Sequence, residues 1–252
     1  MKKIIASVSE YANAIKLINK HNLWGWVILP GILFIIIAIP CYIFITGYFG
    51  SIGFSEVDAV ANQKAGGIWA WLLHALASVG KVLSYIAGVF VFLYTYKFIF
   101  LMVCSPILGL LSEKAEECML GTTYPFTLKQ LSIDIWRGIG ISLRNAARQI
   151  LGMVVLLPLT FIPVIGIFFG VALLLLDCYY FGFGMLDYNS ERHKIGYGKS
   201  VQLIKQNKAY ALGNGIGLYL FLLIPFVGWL IGPGISAVAA MLTYTKHIKK
   251  IA

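Results

Sequence analysis

Three charged or ionisable side chains interrupt a long apolar segment, and they are the first candidates for chemistry in this chain. In the range 68–111 the only basic or acidic side chains are His74, Lys81 and Lys97. Such groups are costly inside a hydrocarbon core, so they often mark a substrate or ion pathway. His74 and Lys81 are seven residues apart and share one helix face, whereas Lys97 lies about 160° around the helix. We expect the first two to line a wet path and Lys97 to anchor the cytoplasmic end of the segment.

The residues that follow predict a second candidate, an anion site at a helix start. Ser105 is a good N-cap residue and Pro106 suits the first position of a helix. Free backbone N–H groups and the positive end of the helix dipole would then attract an anion. Gly109 would let the ion approach closely, whereas the alternative is a tight helix start with an exposed glutamate. The remaining residues of this candidate segment are Leu110, Leu111 and Glu113.

Two arginines form a third candidate. Arg144 and Arg148 are four residues apart, which places both guanidinium groups on one face of a helix. An anion permease needs positive potential along its path, but it must not hold the ion too tightly. In this interpretation the pair lines the cytoplasmic mouth of the path. The alternative partner is the phosphate of a lipid headgroup.

Composition places the chain in a membrane and excludes several other classes. Of its 252 residues, 60% are apolar and 12% are charged, whereas soluble domains carry about 25% charged residues. The net charge of +10 comes from clusters that flank apolar runs, which favours contact with the lipid bilayer over nucleic acid. The four cysteines are widely spaced, and no catalytic or metal-binding motif is present. We therefore expect no enzyme activity, no cofactor and no metal.

Membrane helices must position these candidates. Residues 23–49 carry no charge and exceed the roughly 20 residues that cross a bilayer core. We predict two full spans, residues 23–49 and 68–104, joined by an outward loop at 50–67. Residues 1–22 have the spacing of an amphipathic helix, which either lies in the membrane interface or packs on the protein. Residues 105–149 are predicted to form cytoplasmic helices around a turn that begins at Thr122.

Two later apolar runs contain the same motif, I-P-x-[IV]-G-x-x-x-G, at Pro163 and again at Pro225. Proline followed three residues later by glycine is typical of a turn, because proline removes a donor and glycine accepts unusual dihedral angles. Each run is therefore predicted to be a helical hairpin. The hairpins cover residues 150–185 and 209–245, with turns at Pro163–Gly166 and Pro225–Gly228.

The charge pattern favours hairpins that enter the membrane only partly. If each run crossed the membrane once, the basic connector 186–208 would lie outside, which the preference of Lys and Arg for the cytoplasm opposes. The first arm of about 13 residues is also too short to cross, at about 20 Å. Hairpins keep the connector, both termini and the basic tail 246–252 cytoplasmic. Four conventional spans are the alternative. Because short hairpins do not easily enclose a pore, we also expect a homo-oligomer.

Four short motifs, kept in order, resemble those of the CysZ-type sulfate permeases. Ser105–Glu113 is similar to the family signature A-P-F-x-G-L-L-A-E. Val27–Pro30 resembles the V-I-L-P opening of the first span in that family. Phe161–Gly166 resembles its F-I-P-x-I-G turn, and Asp187–Ile195 resembles its D-Y-x-x-x-x-H-K-V segment.

The resemblance implies an all-α bacterial inner-membrane protein with two long spanning helices and two partly inserted hairpins. It also implies sulfate uptake for cysteine synthesis, with a functional role for the segment Gly109–Glu113. The family carries an arginine pair just before V-I-L-P, where this chain has Trp24 and Gly25. The third candidate, the arginine pair at residues 144 and 148, is placed to replace it. A non-transporting protein that scaffolds or shapes the bilayer is the alternative function.

Overall fold

Most of the described chain is helical. The computed structural model describes residues 1–51, 68–121 and 128–249, and within these ranges it contains eight α-helices and no strand. A π-helical turn, Tyr244–Ile248, follows the last of them. The helices are α1 Lys2–His21, α2 Trp24–Ser51, α3 Ile68–Leu120, α4 Leu128–Leu159, α5 Gly166–Arg192, α6 Tyr197–Gln206, α7 Lys208–Leu222 and α8 Val227–Thr243.

Four helical segments are long and apolar enough to cross a membrane, which agrees with the predicted all-α membrane class. They are Trp24–Phe49, Trp71–Val89, Gly166–Arg192 and Val227–Ile248. The finer division into two full spans and two partly inserted hairpins stays a prediction. The predicted outward loop, apart from residues 50 and 51, and the predicted turn after Gly121 lie outside the described residues.

The chain divides into two compact units, Ile35–Phe100 and the combination of Met1–Phe34 with Leu101–Ala252. In the smaller unit, α2 and α3 approach closely where a Cβ atom on Gly88 would lie 2.8 Å from the Phe49 Cβ. Hydrogen bonds also join these two helices. The Tyr42 and Tyr85 hydroxyl oxygens are 2.5 Å apart, and the Ser84 hydroxyl donates to the Phe49 carbonyl.

In the larger unit, α1 packs against α7 and α8 along one face. Ala14 and Ile18 are fully buried there, as expected for one side of an amphipathic helix. The buried Tyr11 hydroxyl donates to the Asn214 carbonyl at 2.6 Å, and the Ser7 hydroxyl donates to the Tyr210 carbonyl at 3.0 Å. One face of α1 is therefore packed on the protein, as in the second of the two interpretations left open for it.

Small residues let α5 and α7 pack backbone against backbone. A Cβ atom on Gly182 would lie 1.9 Å from the Ala211 carbonyl oxygen, and one on Gly215 would lie 1.8 Å from that of Cys178. The small residues Cys178 and Gly182 of α5 are four apart, and so are Ala211 and Gly215 of α7. This spacing allows close helix pairs in membranes. This contact holds α5 and α7 together.

Replacing Gly215 by alanine is expected to lower the free energy of unfolding by about 1–3 kcal/mol, because the new methyl group overlaps a main-chain carbonyl. Gly184→Ala on α5 is the matched control, since a Cβ atom there would meet nothing within 4 Å. That control should leave stability unchanged or raise it, because alanine favours helices. Denaturant titration in detergent compares the two. Equal effects would contradict the close approach.

The two turns with the repeated motif share one backbone solution. Val164 and Phe226, each directly after the proline, have left-handed φ angles of 68° and 60°, which few residues other than glycine adopt. The motif glycines then pass close to the preceding chain. A Cβ atom on Gly166 would lie 2.1 Å from the Thr160 carbonyl oxygen, and one on Gly228 would lie 1.8 Å from that of Phe221. The Pro-x-x-Gly spacing therefore has the same physical cause in both turns.

Helices run without a break across two predicted boundaries. The helix α3 continues past residue 104 to Leu120, and α4 continues past residue 149 to Leu159. The predicted first arm of the first hairpin is thus the last part of a 32-residue helix. Most of the predicted connector 186–208 is also helical. The helix α5 extends to Arg192, and α6 and the start of α7 cover most of the remaining residues.

Candidate functional site

The predicted helix start at Ser105 is wrong, because α3 passes straight through this segment with Pro106 inside it. Proline has no N–H to offer the carbonyl four residues earlier, which belongs to Met102. The Ser105 hydroxyl donates to that carbonyl at 3.1 Å and satisfies it. Backbone N–H groups here belong to a continuous helix, so the helix-start argument for an anion site at Ser105 no longer holds.

The rest of the signature segment is divided between the core and a half-exposed face. Leu111 is fully buried in a cluster that includes Ile18, Val27 and Val238. The neighbouring Gly109, Leu110 and Glu113 are half-buried, and a Cβ atom on Gly109 would meet nothing within 4 Å. The open space beside Gly109 is consistent with close approach by another group. The part of the segment that faces the core has a packing role.

The first candidates, His74 and Lys81, lie in the smaller unit on α3. The His74 side chain is half-buried and that of Lys81 is exposed. The Ser78 hydroxyl donates to the His74 carbonyl at 2.8 Å, within the same helix. The Lys97 side chain lies outside the described part of the chain. A role for the first two in a pathway therefore stays a proposal.

The chain has four arginines, all in the larger unit, and the structure separates them into two kinds. Arg137 on α4 is neutralised by two carboxylates of α5. Its guanidinium lies 3.0 Å from an oxygen of the buried Asp187 and 3.3 Å from one of Glu191. The Ser200 hydroxyl donates to Asp187 as well, which ties α6 to this pair.

Arg192 is the second neutralised arginine, and its partner is a carboxylate in the core. Glu116 on α3 is 0% exposed, and its carboxylate lies 2.5 Å from an Arg192 Nη atom. The guanidinium also donates to the Ser112 hydroxyl at 3.1 Å and to the Asn189 side-chain oxygen at 2.7 Å. Burial alone would raise the pKa of Glu116, but His193 and the Arg192 charge outweigh it and hold that pKa below its usual range.

A second buried glutamate, on α1, has the same kind of partners. Glu10 accepts from the Lys246 ammonium at 2.7 Å and lies 3.5 Å from a ring nitrogen of His247. Burial raises the pKa of Glu10, but Lys246 and Asn13 lower it further than burial raises it. Arg192–His193 and Lys246–His247 are thus matching pairs, in each of which a cation and the histidine after it lie against a buried glutamate of another helix. The start of the predicted basic tail is therefore held against α1.

The residue types alone did not single out Glu116, which stands in a run of charged residues after the signature segment. A helical period was nevertheless present. Leu108, Leu111, Ala115 and Glu116 all recur on one face of α3 and all are fully buried. Continuing the apolar stripe of the signature by one turn would have placed this glutamate inside.

Arg144 and Arg148 are the second kind of arginine. Among the side chains that the structure describes, no carboxylate lies within 4.0 Å of either guanidinium, the limit for an ion pair. Arg144 is half-buried and Arg148 is exposed. Burial and, next, repulsion from the Arg148 charge lower the pKa of Arg144. An arginine stays charged nonetheless. The pair therefore carries positive charge that forms no ion pair with a described carboxylate, and Asp187 acts on Arg144 only from beyond ion-pair distance.

Aromatic side chains from two other helices surround this pair. The Arg144 guanidinium lies over the Phe183 ring of α5, 5.5 Å from its centre, and donates to the Asn145 side-chain oxygen at 3.1 Å. Tyr179, Tyr180 and Tyr197 are close enough to interact electrostatically with Arg144. Phenol hydroxyls are donors as well as acceptors. The three helices α4, α5 and α6 thus form an arginine–tyrosine site suited to an oxyanion.

The fold and this site define a multi-pass membrane protein with a polar, ion-paired helical core. Within the described residues, no group of three His, Cys, Asp or Glu side chains is placed to hold a metal. Residues 11–233 match the family described as Sulfate transporter CysZ/Etoposide-induced protein 2.4. The chain belongs to this family, as the four short motifs indicated.

Several bacterial proteins named Sulfate transporter CysZ are similar to this chain. The one from Pectobacterium atrosepticum is 27% identical over 213 residues, which cover 83% of this chain and 77% of that protein. The one from Pseudomonas aeruginosa is 27% identical over 150 residues, or 59% of this chain and 61% of that protein. One from Pseudomonas fluorescens is 29% identical over 142 residues, or 56% and 57%. The matches to the two Pseudomonas proteins therefore span less than two thirds of their length.

Proposed function

We propose that the protein is a membrane permease for a small inorganic anion, with sulfate as its substrate, and that it supports sulfur assimilation and cysteine synthesis. Family membership and the name of its relatives support transport of sulfate. The observation that carries the proposal is the arginine pair Arg144 and Arg148, neither of which forms an ion pair with a described carboxylate. Two guanidinium groups match the geometry and charge of a divalent oxyanion.

The geometry of the arginine pair suits transient binding of an anion better than tight binding. Phe183 and Asn145 hold the Arg144 guanidinium in place, whereas Arg148 is exposed and free to follow the ion. Permeation requires binding strong enough to admit the ion and weak enough to release it. The other pathway candidates are Ser105, Gly109, Leu110, Leu111, Glu113, His74 and Lys81. Of these, Ser105 stays a candidate through its place beside Gly138 and not through a helix start, since its hydroxyl proton is donated to the Met102 carbonyl.

The proposal includes a location and a topology. We place the protein in the bacterial inner membrane as a homo-oligomer with both termini cytoplasmic. The two hairpins, α4–α5 and α7–α8, enter the bilayer with their turns first. Their exposed tips are strongly apolar, with Phe161, Val164 and Phe226 each about four-fifths exposed. Such tips need lipid or another subunit to cover them.

Labelling with a membrane-impermeant thiol reagent tests this topology. In a variant without its four native cysteines, Lys199→Cys on the exposed face of α6 should remain unlabelled in intact cells and become labelled in lysed cells. Ser55→Cys, in the loop predicted to face outward, is the matched positive control. Labelling of residue 199 from outside would favour four conventional spans.

Growth of a bacterium that lacks its own sulfate uptake tests the physiological role. Expression of the chain should restore growth when sulfate is the only sulfur source, and cysteine should support growth with or without it. Failure to restore growth on sulfate, with the protein present in the membrane, would count against sulfur assimilation. It would leave the non-transporting scaffold as the better description.

A further inference from the structure

Four lysines form a basic surface at the base of the hairpins, which we define as Lys194, Lys199, Lys205 and Lys208. All four side chains are exposed. None of them is ion-paired with a carboxylate among the described residues, and the sequence has no Asp or Glu from His193 to Ala252. By contrast, Lys114 and Lys246 each pair with a glutamate. The basic surface is therefore a local excess of positive charge.

The helix that carries this surface is held firmly on the protein. The Ser200 hydroxyl donates to the buried Asp187 of α5, and Ile204 is fully buried. The opposite face of α6 carries Lys199, Gln202 and Lys205, all exposed. An anchored helix with a cationic outer face presents its charges in a fixed arrangement, so little order is lost when an anionic surface is bound.

The position of α6 along the hairpin identifies the surface it meets. From Lys208 to the turn, α7 has 15 residues, or about 22 Å at 1.5 Å per residue. If the second hairpin enters the core of about 30 Å turn first with the whole of α7 inside it, as proposed above, Lys208 and α6 lie at the headgroups of the near leaflet. The inference rests on this part of the proposed function. Each lysine near an anionic leaflet gains about 1 kcal/mol, or about fivefold in affinity.

We infer that the basic surface binds anionic lipid headgroups, such as phosphatidylglycerol, and fixes the depth of the second hairpin in the bilayer. The inference goes beyond transport, because it concerns the lipid that the protein binds and not the ion that it carries. The partner is identified by its phosphate charge and by the place of α6 beside a membrane-inserted hairpin.

Thermal unfolding of the purified full chain in detergent, with added phosphatidylglycerol or phosphatidylcholine, tests this inference. Phosphatidylglycerol should raise the unfolding midpoint more than phosphatidylcholine does. The variant Lys199→Gln/Lys205→Gln/Lys208→Gln should lose more than half of that difference and keep the same midpoint without lipid. Lys194 is left unchanged because its φ of 54° is left-handed.

The variant Lys2→Gln/Lys16→Gln/Lys20→Gln on α1 is the matched control, with the same loss of charge, and it should keep the lipid difference. The inference is overturned if the two lipids act equally on the wild type, if the α6 variant keeps the full difference, or if the control loses as much. Sulfate uptake in phosphatidylcholine liposomes, measured on the α6 variant, should equal that of the wild type. Absence of uptake in both would contradict the permease and leave the lipid comparison intact.

Discussion

Replacing both Arg144 and Arg148 by glutamine is expected to raise the sulfate concentration for half-maximal uptake about 100-fold. A hydrogen bond to a charged group contributes about 1.5–3 kcal/mol, and each 1.4 kcal/mol is tenfold in affinity. Because no described carboxylate shares these guanidinium groups, the loss falls on the anion and not on an internal ion pair. Labelled sulfate uptake into liposomes measures it.

The variant Lys16→Gln/Lys20→Gln is the matched control for the arginine pair. It removes two exposed cations that are also four residues apart on a helix, and uptake should be unchanged. Arg144→Lys/Arg148→Lys should give an intermediate loss, since lysine keeps the charge without the bidentate fork. If the arginine pair binds only lipid phosphate, the glutamine variant would take up sulfate normally in phosphatidylcholine liposomes, and the proposed site would be wrong.

Replacing Glu116 by alanine is expected to lower the free energy of unfolding by about 3–5 kcal/mol, the usual cost of breaking a buried ion pair. The Arg192 side chain is 5% exposed and the Glu116 side chain 0%, so removing Glu116 leaves a guanidinium charge buried without the carboxylate that lies 2.5 Å from it. Denaturant titration in detergent measures the loss.

The next residue along the chain supplies the control. Glu117 pairs with Lys114, whose side chain is 49% exposed, and Glu117→Ala should cost no more than about 1 kcal/mol. In the double variant Glu116→Ala/Arg192→Ala the loss should be smaller than the sum of the two single losses. Strictly additive losses would show that the two side chains do not depend on each other.

Acid should weaken the same ion pair. The pKa of Glu116 is lower in the folded chain than its usual value, so the carboxylate contributes stability above the usual glutamate pKa of about 4.3. That contribution is lost as the pH falls through the lowered pKa of the folded state. A comparison of the wild type with Glu116→Gln, which cannot ionise, should show the two stabilities converging in that acidic range.

The all-helical membrane class and the two turns could be predicted from the sequence because their signals are local. Apolar runs of sufficient length need no partner to be recognised, and Pro163–Gly166 and Pro225–Gly228 define their turns through residues adjacent in the chain. The paired left-handed residues Val164 and Phe226 could not be predicted, since neither is a residue type that favours that conformation.

The predicted helix start at Ser105 is wrong because a serine followed by proline is compatible with two structures. A serine followed by proline can begin a helix, but the same serine hydroxyl can replace the hydrogen bond that proline removes inside one. The choice depends on whether the preceding residues are helical, and here the long apolar run supplies that helix. The Ser-Pro pattern alone therefore does not distinguish a helix start from a continuous helix.

The arginine site was half predictable. The spacing of Arg144 and Arg148 places them on one helix face. Arg137, seven residues before Arg144, lies on the same face by the same rule. These arginines differ in their tertiary partners, because Asp187 and Glu191 of α5 form ion pairs with Arg137. Contacts between distant helices are not encoded in residue spacing, so the charge balance of the site required the folded chain.

Uptake of labelled sulfate by the wild-type chain in phosphatidylcholine liposomes tests sulfate permeation, the central claim, most directly. We expect protein-dependent uptake that saturates with sulfate concentration and that competing oxyanions reduce. Uptake no greater than in protein-free liposomes, for sulfate and for related oxyanions alike, would contradict it.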